Sequence, residues 1–280
     1  MKRRFFVRGF ESNSAVLRGE AAEHLGRVLR AEPGQLYELS DGHCVWLGRV
    51  EDVALPKRGE SRVAFALVEP IPAREPALRI ELLISVVKFD RFEWCLEKAT
   101  ELGVTEIIPL AAARTDKPLL AAAGKRHARW EKIILESAQQ SRRLRPPVLR
   151  TVAPPEEVFA QSSAACKILL SERSQAPSLR DVLSGFVGGR SSAVPESRKK
   201  SRDFSCDIKA SQTSGALAPE EPIRASAALA IGPEGGWTDA ELSAARAGGF
   251  AEASLGETIL RTETAVLAAM AVVRFALGDF

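Results

Sequence analysis

The sequence of 280 residues predicts an α/β protein in which a small β-rich domain precedes a parallel sheet covered by helices. Two observations predict this class. Short β-forming runs separated by turn signals fill the first 72 residues. From Leu78 onward, apolar strand-like runs alternate with amphipathic stretches, a pattern typical of βαβ units. We therefore expect two domains, residues 1–72 and residues 73–280.

The first domain is predicted to contain four strands and one helix. The strands are expected at residues 4–7, 35–39, 44–50 and 62–68, and the helix at residues 20–30. Asp41-Gly42, between the second and third strands, is a hairpin turn signal. Several short strands around a common core predict a small β-barrel. Pro70, Pro72 and Pro76 predict a linker after it.

The second domain is predicted to begin with a βαβ unit. Residues 79–87 form a nearly continuous apolar run, as expected for a strand buried on both faces. Asp90 and Glu93 predict a capping box at the start of a helix, and Gly103 predicts its end. A strand at residues 106–110 follows, so the sheet is expected to be parallel. Further predicted elements are a helix at residues 125–143 and strands at residues 167–170, 225–231 and 250–255.

Residues 188–222 differ in composition from the segments on either side. They contain many serines, few large apolar residues and charges of both signs. Such a segment buries too little apolar surface to order itself. It is predicted to be a mobile insertion in the second domain.

Composition restricts the cofactors and the location of the protein. The cysteines are scattered, without a CxxC motif or a Cys/His cluster, which argues against a metal site. The basic N-terminus is not followed by the apolar stretch of a signal peptide. The longest apolar run, residues 265–273, is too short to cross a bilayer. We expect a cytoplasmic protein with no membrane partner.

Positive charge is concentrated in two separate segments. Residues 114–150 contain ten Lys or Arg residues against three acidic ones, and the first ten residues contain four basic residues and no acid. This distribution is typical of a protein that binds a phosphate backbone. The charge pattern alone is equally compatible with a solvated surface balanced by acids elsewhere.

The first candidate site is the sequence Ile231-Gly232-Pro233-Glu234-Gly235-Gly236-Trp237, which we call the first glycine segment. It follows an apolar strand and precedes Thr238 and Glu241, which predict a capping box at the start of a helix. Glycines at the carboxyl end of a parallel strand let a ligand approach the backbone closely. The alternative is a tight structural turn, and Trp237 fits either a pocket wall or the core.

The second candidate site, residues 255–265, is called the second glycine segment. It also follows a predicted strand and contains a glycine, Gly256, before a helix with Thr262 as its expected N-cap. Residues 265–277 carry one charge, so this helix should be buried in the core or against a second subunit. Arg261 and Glu263 beside such a helix indicate a functional role, with a structural ion pair as the alternative.

These segments, with others upstream, resemble the ribosomal RNA small subunit methyltransferase E family, within the knotted SPOUT methyltransferases. The upstream matches occur in family order from the N-terminus. The matching residues are Arg3–Val7, His24-Leu25, Val28–Arg30, Lys88, Glu93-Trp94, Lys98–Val104, Lys132-Ile133, Glu136, Gln140–Arg142, Pro147, Ile231–Gly236, Leu255-Gly256 and Ile259–Ala265.

The resemblance implies a PUA-like barrel followed by a SPOUT domain with a trefoil knot, and a homodimer with its pocket near the subunit interface. It implies methylation of N3 of a uridine in 16S ribosomal RNA of the small subunit, with S-adenosylmethionine as donor. The residues then expected to bind the cofactor are Leu170, Ser171, Glu172, Ile231, Gly232, Pro233, Gly235, Gly236, Leu255, Gly256, Ile259, Leu260, Arg261, Thr264 and Ala265.

Uridine N3 carries a proton, so the reaction requires a base or cations that stabilise the uridine anion. Our hypothesis is that Arg261 orients the cofactor or stabilises the base oxygens, and that Glu263 or Glu234 assists proton removal. The residues expected to contact RNA are Arg3, Arg4, Arg8, Arg30, Arg114, Lys117, Arg142 and Arg143.

Three other functions remain open from the sequence. The first is a SPOUT methyltransferase that acts on another RNA base or on ribose, although the match at residues 98–104 argues against it. The second is an RNA-binding ribosome-assembly protein without turnover. The third is a metabolic α/β enzyme that binds a phosphate-containing ligand at the glycine segments.

Overall fold

A computed structural model describes residues 3–73, 75–190 and 225–278 of the chain. Contacts divide these residues into two compact units. The first unit holds the residues up to Glu75 together with Ala138–Pro146, and the second holds Pro76–Ser137, residues 147–190 and residues 225–278. Most of the predicted insertion, residues 191–222, lies outside the described residues. The first three residues of the predicted insertion, 188–190, are the last residues of a helix, Leu179–Arg190.

The first unit is built on a five-stranded sheet with the order β1-β3-β4-β5-β2. β1 runs parallel to β3, and the other neighbours are antiparallel. Its core contains Phe5, Leu25, Leu39 and Phe65. Closure of this sheet into a barrel stays a prediction. The strands are β1 (Arg4–Phe6), β2 (Ser14–Arg18), β3 (Leu36–Ser40), β4 (Val45–Ala54) and β5 (Arg62–Ile71).

Three details of the first unit differ from the prediction. The expected helix at residues 20–30 is an α-helix, α1 (Gly19–Glu23), that continues as a π-helix, His24–Val28. β2 was not predicted, because only two of its five side chains are buried and its apolar pattern is weak. Pro70 lies within β5 rather than in a linker. At Pro70, β5 has a neighbouring strand, β4, on one side only. A proline is tolerated there because no strand on the β2 side requires a hydrogen bond from its missing N–H.

Residues 138–146 are bound to the first sheet by buried polar contacts. The Arg4 guanidinium donates to the Glu38 carboxylate at 2.9 and 3.1 Å and to the Arg142 carbonyl at 2.7 Å. The Ser40 hydroxyl donates to the Leu144 carbonyl at 2.6 Å. These bonds tie a segment that is distant in sequence to β1 and β3.

The second unit contains a six-stranded, entirely parallel sheet with the order β11-β9-β10-β6-β7-β8. The predicted parallel α/β class is therefore confirmed. The strands are β6 (Leu78–Ser85), β7 (Glu106–Leu110), β8 (Val148–Leu149), β9 (Cys166–Leu170), β10 (Ala225–Ile231) and β11 (Ala251–Ala253).

Both faces of this sheet are covered by helices. Leu82 and Ile84 face a core with Phe92 and Trp130, whereas Leu83 faces a second core on the opposite side. The alternation explains the continuous apolar run of β6. The helices are α2 (Phe89–Glu101), α3 (Lys117–Gln140), α4 (Pro155–Gln161), α5 (Leu179–Arg190), α6 (Asp239–Ala247) and α7 (Thr262–Leu277), of which α2, α3, α5 and α7 contribute to the first core and α4 and α6 to the second.

The helix ends confirm one predicted cap and correct two. Thr238 and Glu241 form the predicted capping box of α6. Lys88, rather than Asp90, is the N-cap of α2, and it makes no side-chain cap bond. Arg261 is the N-cap of α7, and Thr262 is its buried first residue. Among the described helices, none is both long enough and apolar enough to cross a membrane.

The Glu241 side chain accepts hydrogen bonds from its own helix and from the loop after β7. It is 4% exposed, and its Oε2 accepts hydrogen bonds from the backbone N–H and the hydroxyl of Thr238, each at 2.8 Å. Its Oε1 accepts the backbone N–H of Ala113 at 2.8 Å. A buried carboxylate with three donors thus links the start of α6 to the loop after β7.

We predict that Glu241→Ala lowers the free energy of unfolding by about 2–3 kcal/mol, because buried donors lose their acceptor and α6 loses its cap. Urea unfolding followed by circular dichroism measures this change. Ser243→Ala is the matched control in the same helix, since its exposed hydroxyl only donates to the Asp239 carbonyl. The control should change stability by less than about 0.5 kcal/mol. Equal losses in the two variants would contradict the linking role of Glu241.

Candidate active site

A cavity of about 620 Å³ opens at the carboxyl ends of β9, β10 and β11 in the second unit. This is the edge at which parallel α/β sheets bind ligands, and the volume is typical of a small-molecule site. Both glycine segments reach it, together with residues that follow β9. The lining residues are Arg91, Arg114, Leu170–Arg173, Ile231–Trp237, Asp239, Leu242, Leu255–Thr262 and Ala265.

The first glycine segment is packed on Trp237. A Cβ at Gly232 would lie 3.0 Å from the indole ring, so a larger residue there would displace the ring. The indole N–H donates to the Leu170 carbonyl at 2.9 Å, which joins the segment to the end of β9. Trp237 is also packed edge-on against Phe159. It therefore serves both as a core residue and as part of the cavity wall.

The second glycine segment is more open. Residues 256–259 are exposed, and Ile259 is 76% exposed although it lines the cavity. Gly256 has φ +121°, a backbone conformation that favours glycine. The segment then enters α7, whose first turn contributes Thr262 and Ala265 to the wall.

Fourteen of the fifteen residues predicted to bind the cofactor line this cavity. The exception is Thr264, which lies exposed in the first turn of α7 outside the lining. The two segments thus converge on one space, as expected if each contributes to a ligand site rather than forming an isolated turn.

The two candidate acids differ in position. Glu234 lines the cavity, and its side chain is 50% exposed. Glu263 is not among the lining residues; its side chain is 19% exposed, and its Oε2 is buried without a hydrogen-bond partner in the described structure. Arg91 lies between them: it pairs with Glu234, and its Nε is 3.9 Å from Glu263 Oε1.

Four arginines line the cavity, and three of them are held by protein groups. Arg91 pairs with the two acids, Arg114 donates to the Gly235 carbonyl at 2.8 Å, and Arg173 pairs with Asp239. Arg261 is exposed, and within the described parts of the chain no carboxylate pairs with it. The alternative interpretation, a structural Arg261–Glu263 ion pair, therefore does not form among these residues. Arg261 is the lining cation available to a ligand.

Arg91 was not among the predicted site residues, and Arg114 was predicted only as an RNA contact. Arg91 lies in the first turn of α2, directly after β6, and Arg114 follows β7. Both strands end at the same edge as β10, so a cation soon after each strand was a usable signal. Arg114 was expected to contact RNA; here it lies in the cavity.

Cys95 lies on α2 one turn after Arg91. Burial and, to a smaller extent, the negative charge of Glu263 together raise the pKa of its thiol to about 12. The thiol therefore stays protonated at neutral pH and is a poor nucleophile. In the parts of the chain that are described, no group of three His, Cys, Asp or Glu residues is arranged to hold a metal ion.

The predicted RNA contacts differ in accessibility. Arg3, Arg8 and Arg30 are exposed in the first unit, and Lys117 is exposed at the start of α3. Arg142 is also exposed, and Arg143 is half-buried. Arg4 is 9% exposed, and its guanidinium is bonded to Glu38 and to the Arg142 carbonyl. The structure therefore gives Arg4 an internal role, contrary to its expected contact with RNA.

Comparison with known proteins identifies the family. The family model for an RNA methyltransferase domain matches residues 74–194 and 189–274. The ribosomal RNA small subunit methyltransferase E of Synechocystis is 31% identical over 259 residues, which cover 89% of this chain and 68% of the relative. The protein of the same name from Bacillus subtilis is 27% identical over 273 residues, covering 95% of this chain and 91% of the relative.

A solved structure gives the same result. The ribosomal RNA small subunit methyltransferase E of Neisseria gonorrhoeae, bound to S-adenosylmethionine, superposes with a TM-score of 0.74. It is 28% identical, and the alignment covers 100% of both chains. With the family model and the relatives, this places the chain in the ribosomal RNA small subunit methyltransferase E family.

Proposed function

We propose that this chain transfers a methyl group from S-adenosylmethionine to N3 of a uridine in the 16S ribosomal RNA of the small ribosomal subunit. The observation that carries the proposal is the cavity where both glycine segments meet at the edge of a parallel sheet, in a chain of this family. The bound S-adenosylmethionine of the Neisseria gonorrhoeae relative supports the choice of cofactor.

The cavity suits a molecule with apolar and polar ends. Leu170, Ile231, Leu255 and Leu260 supply apolar wall for an adenine ring, and backbone groups at the strand ends supply hydrogen bonds. Because Gly232 packs directly on the Trp237 ring, no side chain fits at this position. Thr264 does not line the cavity, so we omit it from the proposed cofactor residues.

When bound, S-adenosylmethionine supplies an electrophilic methyl group that the N3 nitrogen takes in line with the departing sulfur. The chain must align the base and remove the N3 proton. Glu234 is the better placed proton acceptor, because it lines the cavity and its carboxylate reaches solvent. Glu263 contacts Arg91 and does not line the cavity.

Arg261 is assigned the second role, stabilisation of the charge that develops on the base oxygens. It lines the cavity without a carboxylate partner among the described residues, whereas the other three lining arginines are bonded to protein groups. A cation not neutralised by a protein acid stabilises an anionic base more strongly.

The RNA is proposed to contact Arg3, Arg8 and Arg30 of the first unit, and Lys117, Arg142 and Arg143 further along the chain. Arg8 and Arg30 are exposed and have no ion-pair partner among the described residues. Exposed, unpaired arginines contribute most to binding a phosphate backbone.

The remaining proposals concern architecture and location. We assign residues 1–72 to a PUA-like barrel and residues 73–280 to a knotted SPOUT domain that acts as a homodimer in the cytoplasm. Support for a dimer comes from α7, on which Phe275 is 80% exposed and Val272 is 38% exposed. Apolar side chains so exposed on a helix are typical of a subunit contact.

The function is tested by incubating the protein with isotopically labelled S-adenosylmethionine and small ribosomal subunits, then mapping the modified nucleotide. Label at N3 of one uridine in 16S RNA is expected. Label on another base or on ribose would contradict the proposed acceptor. Absence of label, with RNA binding retained, would favour a binding protein. Calorimetry distinguishes the metabolic alternative, since ATP or NAD should not compete for the site.

We predict that Arg261→Ala lowers kcat by about 100-fold or more, because the charge on the base oxygens is no longer stabilised. Glu234→Gln should lower kcat by about 100-fold through loss of the proton acceptor. Single-turnover assays with saturating cofactor measure both effects.

Arg246→Ala and Glu156→Gln are the matched controls. Arg246, on α6, pairs with Glu252 of β11, and Glu156 is exposed on α4; neither Arg246 nor Glu156 lines the cavity. Both controls should keep kcat within about twofold of the wild-type value. Wild-type turnover in Arg261→Ala or Glu234→Gln, with folding intact, would remove that residue from the mechanism.

A further prediction separates RNA contacts from structural arginines. Arg8→Ala and Arg30→Ala should each weaken binding to small subunits and reduce the slope of log affinity against log salt by about 1, without changing stability. Arg4→Ala should instead lower the free energy of unfolding by about 3 kcal/mol, because Glu38 is left buried without its main partner. Filter binding at several salt concentrations and urea unfolding measure the two effects. Unchanged salt slopes for Arg8→Ala and Arg30→Ala would contradict the RNA assignment.

A further inference from the structure

We propose that Arg91 and Arg114 are positioning residues that hold the first glycine segment in the shape that receives the cofactor. The two arginines bind neighbouring residues of that segment, Glu234 and Gly235. The inference rests on the proposed function for the identity of the cofactor. The restraint itself depends only on contacts within the second unit.

Arg91 holds the segment through its acidic side chain. It pairs with Glu234 and also lies 3.9 Å from Glu263 in the first turn of α7. Its side chain is 28% exposed, so both contacts are partly shielded from water, where charge pairs are stronger than at an open surface. One guanidinium thus connects α2, the first glycine segment and the start of α7.

Arg114 holds the segment through its backbone. Its Nη1 donates to the Gly235 carbonyl at 2.8 Å, and its Cβ lies 3.2 Å from the position that a Cβ on Gly235 would occupy. The backbone of Arg114 is fixed in turn, because the preceding residue, Ala113, donates its N–H to the buried carboxylate of Glu241. A side chain at Gly235 would push this contact apart.

The first glycine segment needs such restraint. Three of its seven residues are glycine, which lose the most conformational entropy when they are fixed. Between its ends, the Gly236 N–H donates to the Pro233 carbonyl at 2.9 Å, which closes a single turn. If the segment were loose, cofactor binding would have to supply the free energy of ordering it. Holding the segment beforehand therefore increases cofactor affinity.

This role predicts a particular kinetic pattern. Loss of either arginine should raise the Kd and KM for S-adenosylmethionine. For Arg114, kcat at saturating cofactor should change little, because the ordered segment forms again once the site is filled. Loss of Arg91 should also lower kcat, because Arg91 pairs with Glu234, the proposed proton acceptor. If Arg114 were instead an RNA contact, as its place in a basic run first indicated, its loss would raise KM for the small subunit and leave cofactor affinity unchanged.

The test uses the full-length protein with Arg91→Met, Arg114→Met, the corresponding Lys variants, and Arg246→Met as the matched control. Calorimetry of S-adenosylmethionine binding without RNA should give a Kd about tenfold higher for each Met variant and an unchanged Kd for the control. Each Lys variant should recover part of the loss, since one ammonium replaces one of the guanidinium contacts. In steady-state assays, kcat of the Arg114 variants should stay within about threefold, and KM for the subunit should not change for the variants of either arginine.

Hydrogen exchange of the protein without cofactor provides an independent measurement. Backbone amides of the first glycine segment should exchange faster in both Met variants than in the wild-type protein and the control. Wild-type cofactor affinity and wild-type exchange in the Met variants would overturn the proposal. A higher KM for the subunit with unchanged Kd for the cofactor would reassign Arg114 to RNA.

These outcomes are distinct from failure of the proposed function. If S-adenosylmethionine binds as predicted but no RNA is labelled, the acceptor is wrong and the positioning role stands. If the wild-type protein does not bind S-adenosylmethionine, the proposed function fails. The exchange rates then decide alone whether Arg91 and Arg114 restrain the segment.

Discussion

The buried carboxylate of Glu241 is the contact on which the arrangement of the active site depends. It caps α6 through Thr238 and accepts the N–H of Ala113, so the loop after β7 and the segment after β10 are fixed by one side chain. α6 packs on one face of the sheet through Leu242, and the residue after Ala113 is Arg114, which binds the Gly235 carbonyl. The Glu241 carboxylate, which caps α6, therefore also positions Arg114 in the wall of the cavity.

Charge balance within the cavity follows from the same arrangement. Arg91, Arg114 and Arg173 each satisfy a protein group, so their charges serve to hold loops at the carboxyl edge of the sheet. Arg261, at the start of α7, is left without a carboxylate partner in the described residues. A site that receives a cationic donor and develops an anionic base benefits from this division. In the proposed reaction, the three restrained cations form part of the wall, and Arg261, unpaired among the described residues, stabilises the reacting base.

The sequence predicted the glycine segments, because glycines after apolar strands are a local signal, and it predicted the parallel sheet from apolar periodicity. It could not assign Arg91 or Arg114 to the site. They meet the first glycine segment through the strand order β10-β6-β7, and strand order is not encoded in local spacing. Another error had a local cause. The helix predicted at residues 125–143 is α3, Lys117–Gln140, which begins earlier because the alanines before the exposed Gly124 favour a helix.

Burial decides which members of a basic run are available to a partner. Two runs separated by more than one hundred residues predicted a phosphate-backbone partner, and contacts place residues 138–146 of the second run in the same unit as the first run. Arg4 makes that connection by binding Glu38 and the Arg142 carbonyl, so one arginine of the pattern is used internally. The cost of its burial is offset by a full set of partners. The segment that carries Arg142 and Arg143 is thereby bonded to β1 and β3, close in the chain to the exposed Arg8, which the spacing of charges along the chain could not indicate.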